Sequence, residues 1–336
     1  MIPNGMLLRL PLLEDLSLNI GGVYWNDHRP VIDENWSSIA EAVAEELATL
    51  KRLNHLNFFF TKMESFSRFI QESCAWKDKC LTSFRLLVGC DDLKTLHTSY
   101  FEHEHEGVRY LRLRGSNDIS NEIMEVLRRA CAFRLICHET ARYLSEFGLE
   151  NMNGLEFCEV GYCKKMETLV LIDDGNGLTC SSSSNSSRSH AVLPRIEMLH
   201  LHNLHNFMTI WGKGPVPPQS LNCLRILKVE NCPMLQYLFS KPAAQQLSTL
   251  QQLEVRNCPT IQEIVNGGDG KSSDDEFIYF LQLKHLKLVE LPKLVSICKG
   301  VSLVALSSFS VRAYDCPNLK CEWWVDDGTG QMVKKA

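Results

Sequence analysis

The chain has 336 residues, a formal net charge of -5 and 45% hydrophobic side chains, an ordinary globular balance that excludes wholesale disorder. That charge leaves no global basic field for a nucleic-acid backbone or an anionic membrane, and no apolar run reaches the ~18–20 residues of a membrane helix. Fourteen cysteines without one C-x-x-C pair point to buried thiols in a reducing compartment rather than to a disulfide framework.

In chain order, the opening MIPNGMLLRLPLLEDL is a poor signal peptide, because Arg9 and Glu14 sit in or beside its apolar stretch and no small-residue cleavage site follows. Leu13, Leu16 and Leu18 give a first strand core. An insertion of about 21–48 then carries Asn35-Trp-Ser-Ser ahead of Ile39, Val43, Leu47 and Leu50, the spacing of an amphipathic helix. Further strand cores stand at Leu53/Leu56/Phe58, Leu81/Phe84/Leu86, Val108/Leu111/Leu113 and Phe133/Leu135. From Leu155 the pattern sharpens: Leu155, Cys158, Val160, Cys163, Met166 and Leu169 share their spacing with Ile196, Leu199, Leu201, Leu204, Phe207 and Ile210. The spacing returns from Leu224 to Leu238, from Leu250 to Ile264 and from Leu283 to Ile297, and weakly at Val311, Ala313, Cys316 and Leu319. Two polar breaks, 173–190 with its serine run and 266–276, read as solvated loops, the serines also being possible phosphosites.

This is the leucine-rich repeat, L-x-x-L-x-L-x-x-(C/N)-x-x-L. Its strand markers are Leu18, Phe58, Leu86, Leu113, Leu135, Val160, Leu201, Val229, Val255, Leu288 and Ala313, about eleven irregular repeats. One repeat cannot bury its own apolar face, so the expected fold is an α/β horseshoe solenoid over 1–322, with a parallel sheet on the concave face and 323–336 as a tail. Cys163, Cys232, Cys258 and Cys316 fall where the chain turns out of the strand, where a small S–H can donate to a turn carbonyl. A metal role has little support there, since these cysteines lie a repeat or more apart.

No phosphate loop, nucleophile elbow or zinc helix is present, and Gly267-Gly-Asp-Gly-Lys-Ser272 has the wrong spacing for a phosphate loop. Neither catalysis nor a bound cofactor is therefore expected. His200 and His202 alternate with core leucines and offer half a metal site. No acidic or thiol residue is placed by sequence to complete it, so both read as ordinary exposed histidines and no metal is assigned. The residues between the strand leucines form an outward column: Ser17, Asn57, Arg85, Arg112, Arg134, Glu159, His200, Lys228, Glu254, Lys287 and Arg312. Arg85, Arg112 and Arg134, with Arg114 beside them, are expected as an exposed ridge for an acidic partner. Lys228, Glu254, Lys287 and Arg312 give a mixed face further on, and together with His200 and His202 they extend the candidate partner-binding surface.

The runs Leu227–Leu235 and Leu253–Ile261, the block Leu281–Leu294 and Cys316-Pro-Asn-Leu-Lys320 resemble the repeat domain of plant intracellular disease-resistance proteins of the coiled-coil, nucleotide-binding type. The resemblance is sharp from Leu144 onward and loose before it. It implies a cytoplasmic immune receptor whose repeats sense a pathogen effector or a guarded host protein and restrain a nucleotide-binding switch. The coiled coil and the nucleotide-binding domain, where ADP or ATP would bind, are expected to be missing here, which implies a fragment or a truncated relative. The alternative is a stand-alone repeat adaptor, such as an F-box-type substrate receptor of a ubiquitin ligase. That class needs a helical F-box before the repeats, and a repeat strand begins here by Leu13.

Overall fold

A computed structural model describes residues 5–18, 24–26, 29–31, 36–89, 109–171, 191–212, 214–267, 277–280, 282–298, 302–305, 310–320, 323–326 and 332–335. The expected loop at 173–190 lies outside these residues, as does 268–276 of the second one. The chain divides into two compact units, Met1–His138 and Glu139–Ala336.

In the first unit the strands Asp15–Ser17, His55–Phe60, Ser83–Gly89, Tyr110–Arg114 and Ala132–Ile136 pair in parallel, each with the next. Alternate side chains point to one face, so Leu56, Phe58, Phe60, Phe84, Leu86, Val88, Leu111, Leu113, Phe133 and Leu135 all fall inside and are buried. The return segments are helical. The Trp36–Leu47 helix forms where the apolar spacing puts it and buries Ala40, Val43, Ala44 and Leu47. The Met63–Glu72 helix buries Phe66, Phe69 and Ile70. Ser120 caps the Asn121–Leu127 helix by accepting from the Ile123 amide, 3.4 Å away, and that helix buries Ile123, Val126 and Leu127.

The second unit repeats the ladder with less helix. Strands Phe157–Gly161, Met198–His202, Ile226–Glu230, Gln252–Arg256, His285–Val289 and Ser310–Tyr314 pair in parallel in that order. Leu199/Leu201, Leu227/Val229, Leu253/Val255 and Leu286/Leu288 are the inward pairs, all buried. Short parallel strands form on the return side, among them Thr168–Val170 with Thr209–Trp211, and Phe239–Ser240, Glu263–Asn266 and Ser296–Cys298 in succession. Trp323–Asp326 pairs in parallel with Ser302–Ala305 and antiparallel with Met332–Lys335.

The described residues thus hold eleven ladder strands, one at each sequence marker, five in the first unit and six in the second. The fold is that of leucine-rich repeats. One register differs from the expectation. Leu86 pairs with Leu111, while Leu113 pairs with Val88, so the sequence marker of the Ser83–Gly89 strand lies two residues early. The reason is local: HLNFFF and SFRLLVG each carry three inward positions, 56/58/60 and 84/86/88, where the later repeats carry two. A frame taken from the first inward pair therefore lands one pleat short.

Candidate functional site

The outward face of the ladder holds the residues singled out by sequence. In the first unit Arg112 stands opposite Arg134, as expected, but Arg85 stands opposite Tyr110 and Leu87 takes the slot beside Arg112. The Arg85 guanidinium lies 5.4 Å from the centre of the Tyr110 ring, a cation–π contact. Burial pushes the Tyr110 phenol up, while the nearby Arg134, Arg112 and Arg85 charges and a hydrogen bond with Arg134 pull it down without reversing the shift. Three of the expected exposed arginines are in fact buried: Arg112 and Arg114 are 7% exposed and Arg134 is 6% exposed. The expected solvent-facing ridge is thereby corrected: Arg112 and Arg134 are buried beside Tyr110, with half-buried Arg85 over its ring, and Arg114 is buried too. Tyr110 was visible as an aromatic ahead of Leu111, but its slot depended on the register just described.

In the second unit one column reads Glu159, His200, Lys228, Glu254, Lys287 and Arg312, as the sequence spacing placed it. His200 and Glu254 are buried rather than exposed, and Glu159 is 1% exposed. His202 also departs from the ordinary exposed histidine of the expectation. Its Nε2 donates to the Glu159 carboxylate at 3.0 Å, and the Asn203 carboxamide donates to its Nδ1 at 3.0 Å. The acidic neighbour missing from the sequence reading is therefore Glu159, 43 positions away in the chain. Its signal was its place beside His200 in the same column.

Glu254 forms a second node. Its Oε1 accepts from Lys287 Nζ at 2.8 Å and from Arg256 at 2.7 Å. Burial alone would push this carboxyl up, but the hydrogen bonds from Lys287 and Arg256 and their charges outweigh it and hold it below the ordinary carboxylate value. Arg312 and Tyr314, two residues apart on the Ser310–Tyr314 strand, lie exposed on this face, Tyr314 to 56%. Arg256 and Tyr314 stand two residues beyond the column position of their strands, so the spacing of the strand leucines does not single them out.

The turn cysteines sit just past the ladder. Each sulfur of Cys163, Cys232, Cys258 and Cys316 lies 3.3–3.4 Å from the carbonyl oxygen two residues earlier, as a weak S–H donor requires. The first three are fully buried and Cys316 is half-buried. A hydrogen bond with Cys258, together with burial, pushes the Cys232 thiol up, and burial does the same for Cys316.

A polar outward face on a strictly registered leucine-rich ladder has one further correlate. The family model for plant disease resistance protein RPS2-like leucine-rich repeats matches residues 136–259 and, again, 243–322. The chain belongs to that family. The match to the RPS2-like repeats takes in all six ladder strands of the second unit and no strand of the first before Ile136. No curated protein matches the chain. Membership of that repeat family points to a protein-interaction role in plant defence. Among the described residues no helix is long and apolar enough to cross a membrane.

Proposed function

We propose that the chain is the recognition module of a plant immune receptor, working in the cytoplasm. It would sense a pathogen effector or a guarded host protein and restrain a nucleotide-binding switch through the outward ladder face of its C-terminal repeats. ADP or ATP then belongs to the switch module and not to the repeats. The observation that carries this reading is the exposed pair Arg312 and Tyr314, standing on the same face as the Lys287–Glu254–Arg256 node. Tyrosine and arginine are among the side chains most enriched at interface hot spots, tyrosine offering large contact area at small entropic cost. Arg112, Arg114 and Arg134 of the first unit, being buried, do not supply such a surface. Reversing Arg112 or Arg134 would unsettle the fold before it tested any contact.

The test is association with a separately expressed nucleotide-binding module of this receptor class. Arg312→Glu with Tyr314→Ala leaves folding intact, because both side chains are exposed. The double variant is expected to weaken binding at least about tenfold, and added salt to weaken the unaltered pair. Undiminished binding by the double variant at low salt would remove this face from the account.

A further inference from the structure

We propose that Glu159, His200 and His202 form a binding site for one divalent first-row transition-metal ion of the zinc and cobalt class. The three residues come from two adjacent strands in fixed register, with Glu159 opposite His200 and Gly161 opposite His202. One ligand atom from each lies within 4.8 Å of the others. The two imidazoles lie 4.7 Å apart between ring centres and are tilted by 31°. An ion bound tetrahedrally at about 2.1 Å holds neighbouring ligands roughly 3.4 Å apart, a few tenths of an ångström more than the 3.0 Å between His202 Nε2 and Glu159 Oε1. His200 has to close in, and the His202 ring has to turn its Nε2 from the carboxylate oxygen to the ion, both by side-chain rotation. Two imidazoles and one carboxylate suit zinc, cobalt or ferrous iron rather than calcium or magnesium, which take oxygen ligands throughout. His202 is 13% exposed along its side chain and gives the ion its way in, with water completing the coordination.

Two neighbours shape the site. A Cβ at Gly161 would fall 2.3 Å from the Cε1 and Nε2 atoms of His202, so glycine is what lets that ring lie across the strand towards Glu159. Asn203 touches the Nδ1 atom, the place where a ligating histidine needs an acceptor for its second ring N–H. Without an ion, the Asn203 amide donates to Nδ1 and the ring proton sits on Nε2. With an ion on Nε2 the proton moves to Nδ1, and Asn203 must turn its oxygen towards it. That oxygen now accepts from Asn231 at 3.2 Å, so binding works against the side-chain ladder. Asn203→Asp removes the conflict, since one carboxylate oxygen keeps the Asn231 bond and the other accepts from Nδ1–H.

The experiment titrates the full chain with zinc(II) against a chromophoric chelator and records the absorption spectrum with cobalt(II). One equivalent is expected at this site, with a cobalt spectrum of nitrogen and oxygen ligation. His200→Ala, His202→Ala and Gly161→Ala should each weaken uptake about tenfold or more, and Asn203→Asp should tighten it about tenfold. The gain in the aspartate variant is a change that a merely structural role would not produce, and it leaves all three proposed ligands in place. Unchanged uptake by the His200→Ala/His202→Ala double variant would overturn the proposal. So would a cobalt spectrum dominated by thiolate charge transfer, which would put the ion on the cysteines.

Discussion

A left-handed residue follows the last residue of each ladder strand in the second unit: Tyr162, Asn203, Asn231, Asn257, Glu290 and Asp315 have φ between 49° and 57°. Asparagine tolerates this region because its short amide can bond locally. Here three of them also bond one another, Asn257 donating to Asn231 at 2.8 Å and Asn231 to Asn203 at 3.2 Å. Asn231→Ala would lose both bonds and put a Cβ residue without amide compensation in the left-handed region. It is expected to cost about 2–3 kcal/mol in denaturant unfolding, with Asn257→Ala, at the end of the row, costing less. The next residue in these turns, at Cys163, Cys232, Cys258 and Cys316, fills a pocket that tolerates no charge at the three buried positions. Cys232→Asp is expected to destabilise by about 3–5 kcal/mol. In native protein, residue-resolved alkylation should reach the exposed Cys80 and Cys223 well before Cys232, whose thiol is buried and pushed up in pKa. Prompt labelling of Cys232 would mean that the turn is open. The cysteines were legible from their recurrence, whereas the left-handed position before them was not. That position is shared by Tyr162, Glu290, Asp315 and the three asparagines, and only the asparagines and Asp315 carry a sequence signal.

At the scale of the strand, the same logic separates what was readable from what was not. From Phe157 to Tyr314 each strand has one inward pair, so the spacing of Leu199/Leu201 or Leu253/Val255 admits a single frame, and the column from Glu159 to Arg312 followed directly. At His55–Phe60 and Ser83–Gly89 a third inward residue leaves two frames open, and only pairing with Leu111 and Leu113 decides between them. Burial of the outward arginines was equally hidden, because it depends on what Tyr110 and the neighbouring strand bring beside them. The Glu254 node shows how such cross-strand contacts act on stability. Its carboxyl has a folded-state pKa below the ordinary value, so its contribution is fully present above the unfolded value of about 4.3 and is lost as pH falls through the folded pKa. Glu254→Gln is expected to cost on the order of 1 kcal/mol near neutral pH. Unfolding curves of the two proteins should converge as the pH drops below about 4. A difference that persists unchanged at low pH would show that the carboxylate charge is not the source.

For the molecule as a whole, two sides of the second unit carry different chemistry. The ladder face presents Lys287, Arg256, Arg312 and Tyr314, while Met234 and Val295, 50% and 47% exposed, stand past the turns on the return segments. Membership of the RPS2-like repeats gives the chain a protein-interaction role, and the proposed recognition face says which of these sides a partner covers. Hydroxyl-radical footprinting reads both in one experiment, because tyrosine and methionine are each oxidised when exposed. The measurement is the oxidation rate of Tyr314 and of Met234 in the free chain and in complex with the nucleotide-binding module. Recognition by the ladder face predicts that binding protects Tyr314 several-fold and leaves Met234 as reactive as before. Protection of Met234 with Tyr314 unchanged would contradict it and move the interface to the return side of the repeats.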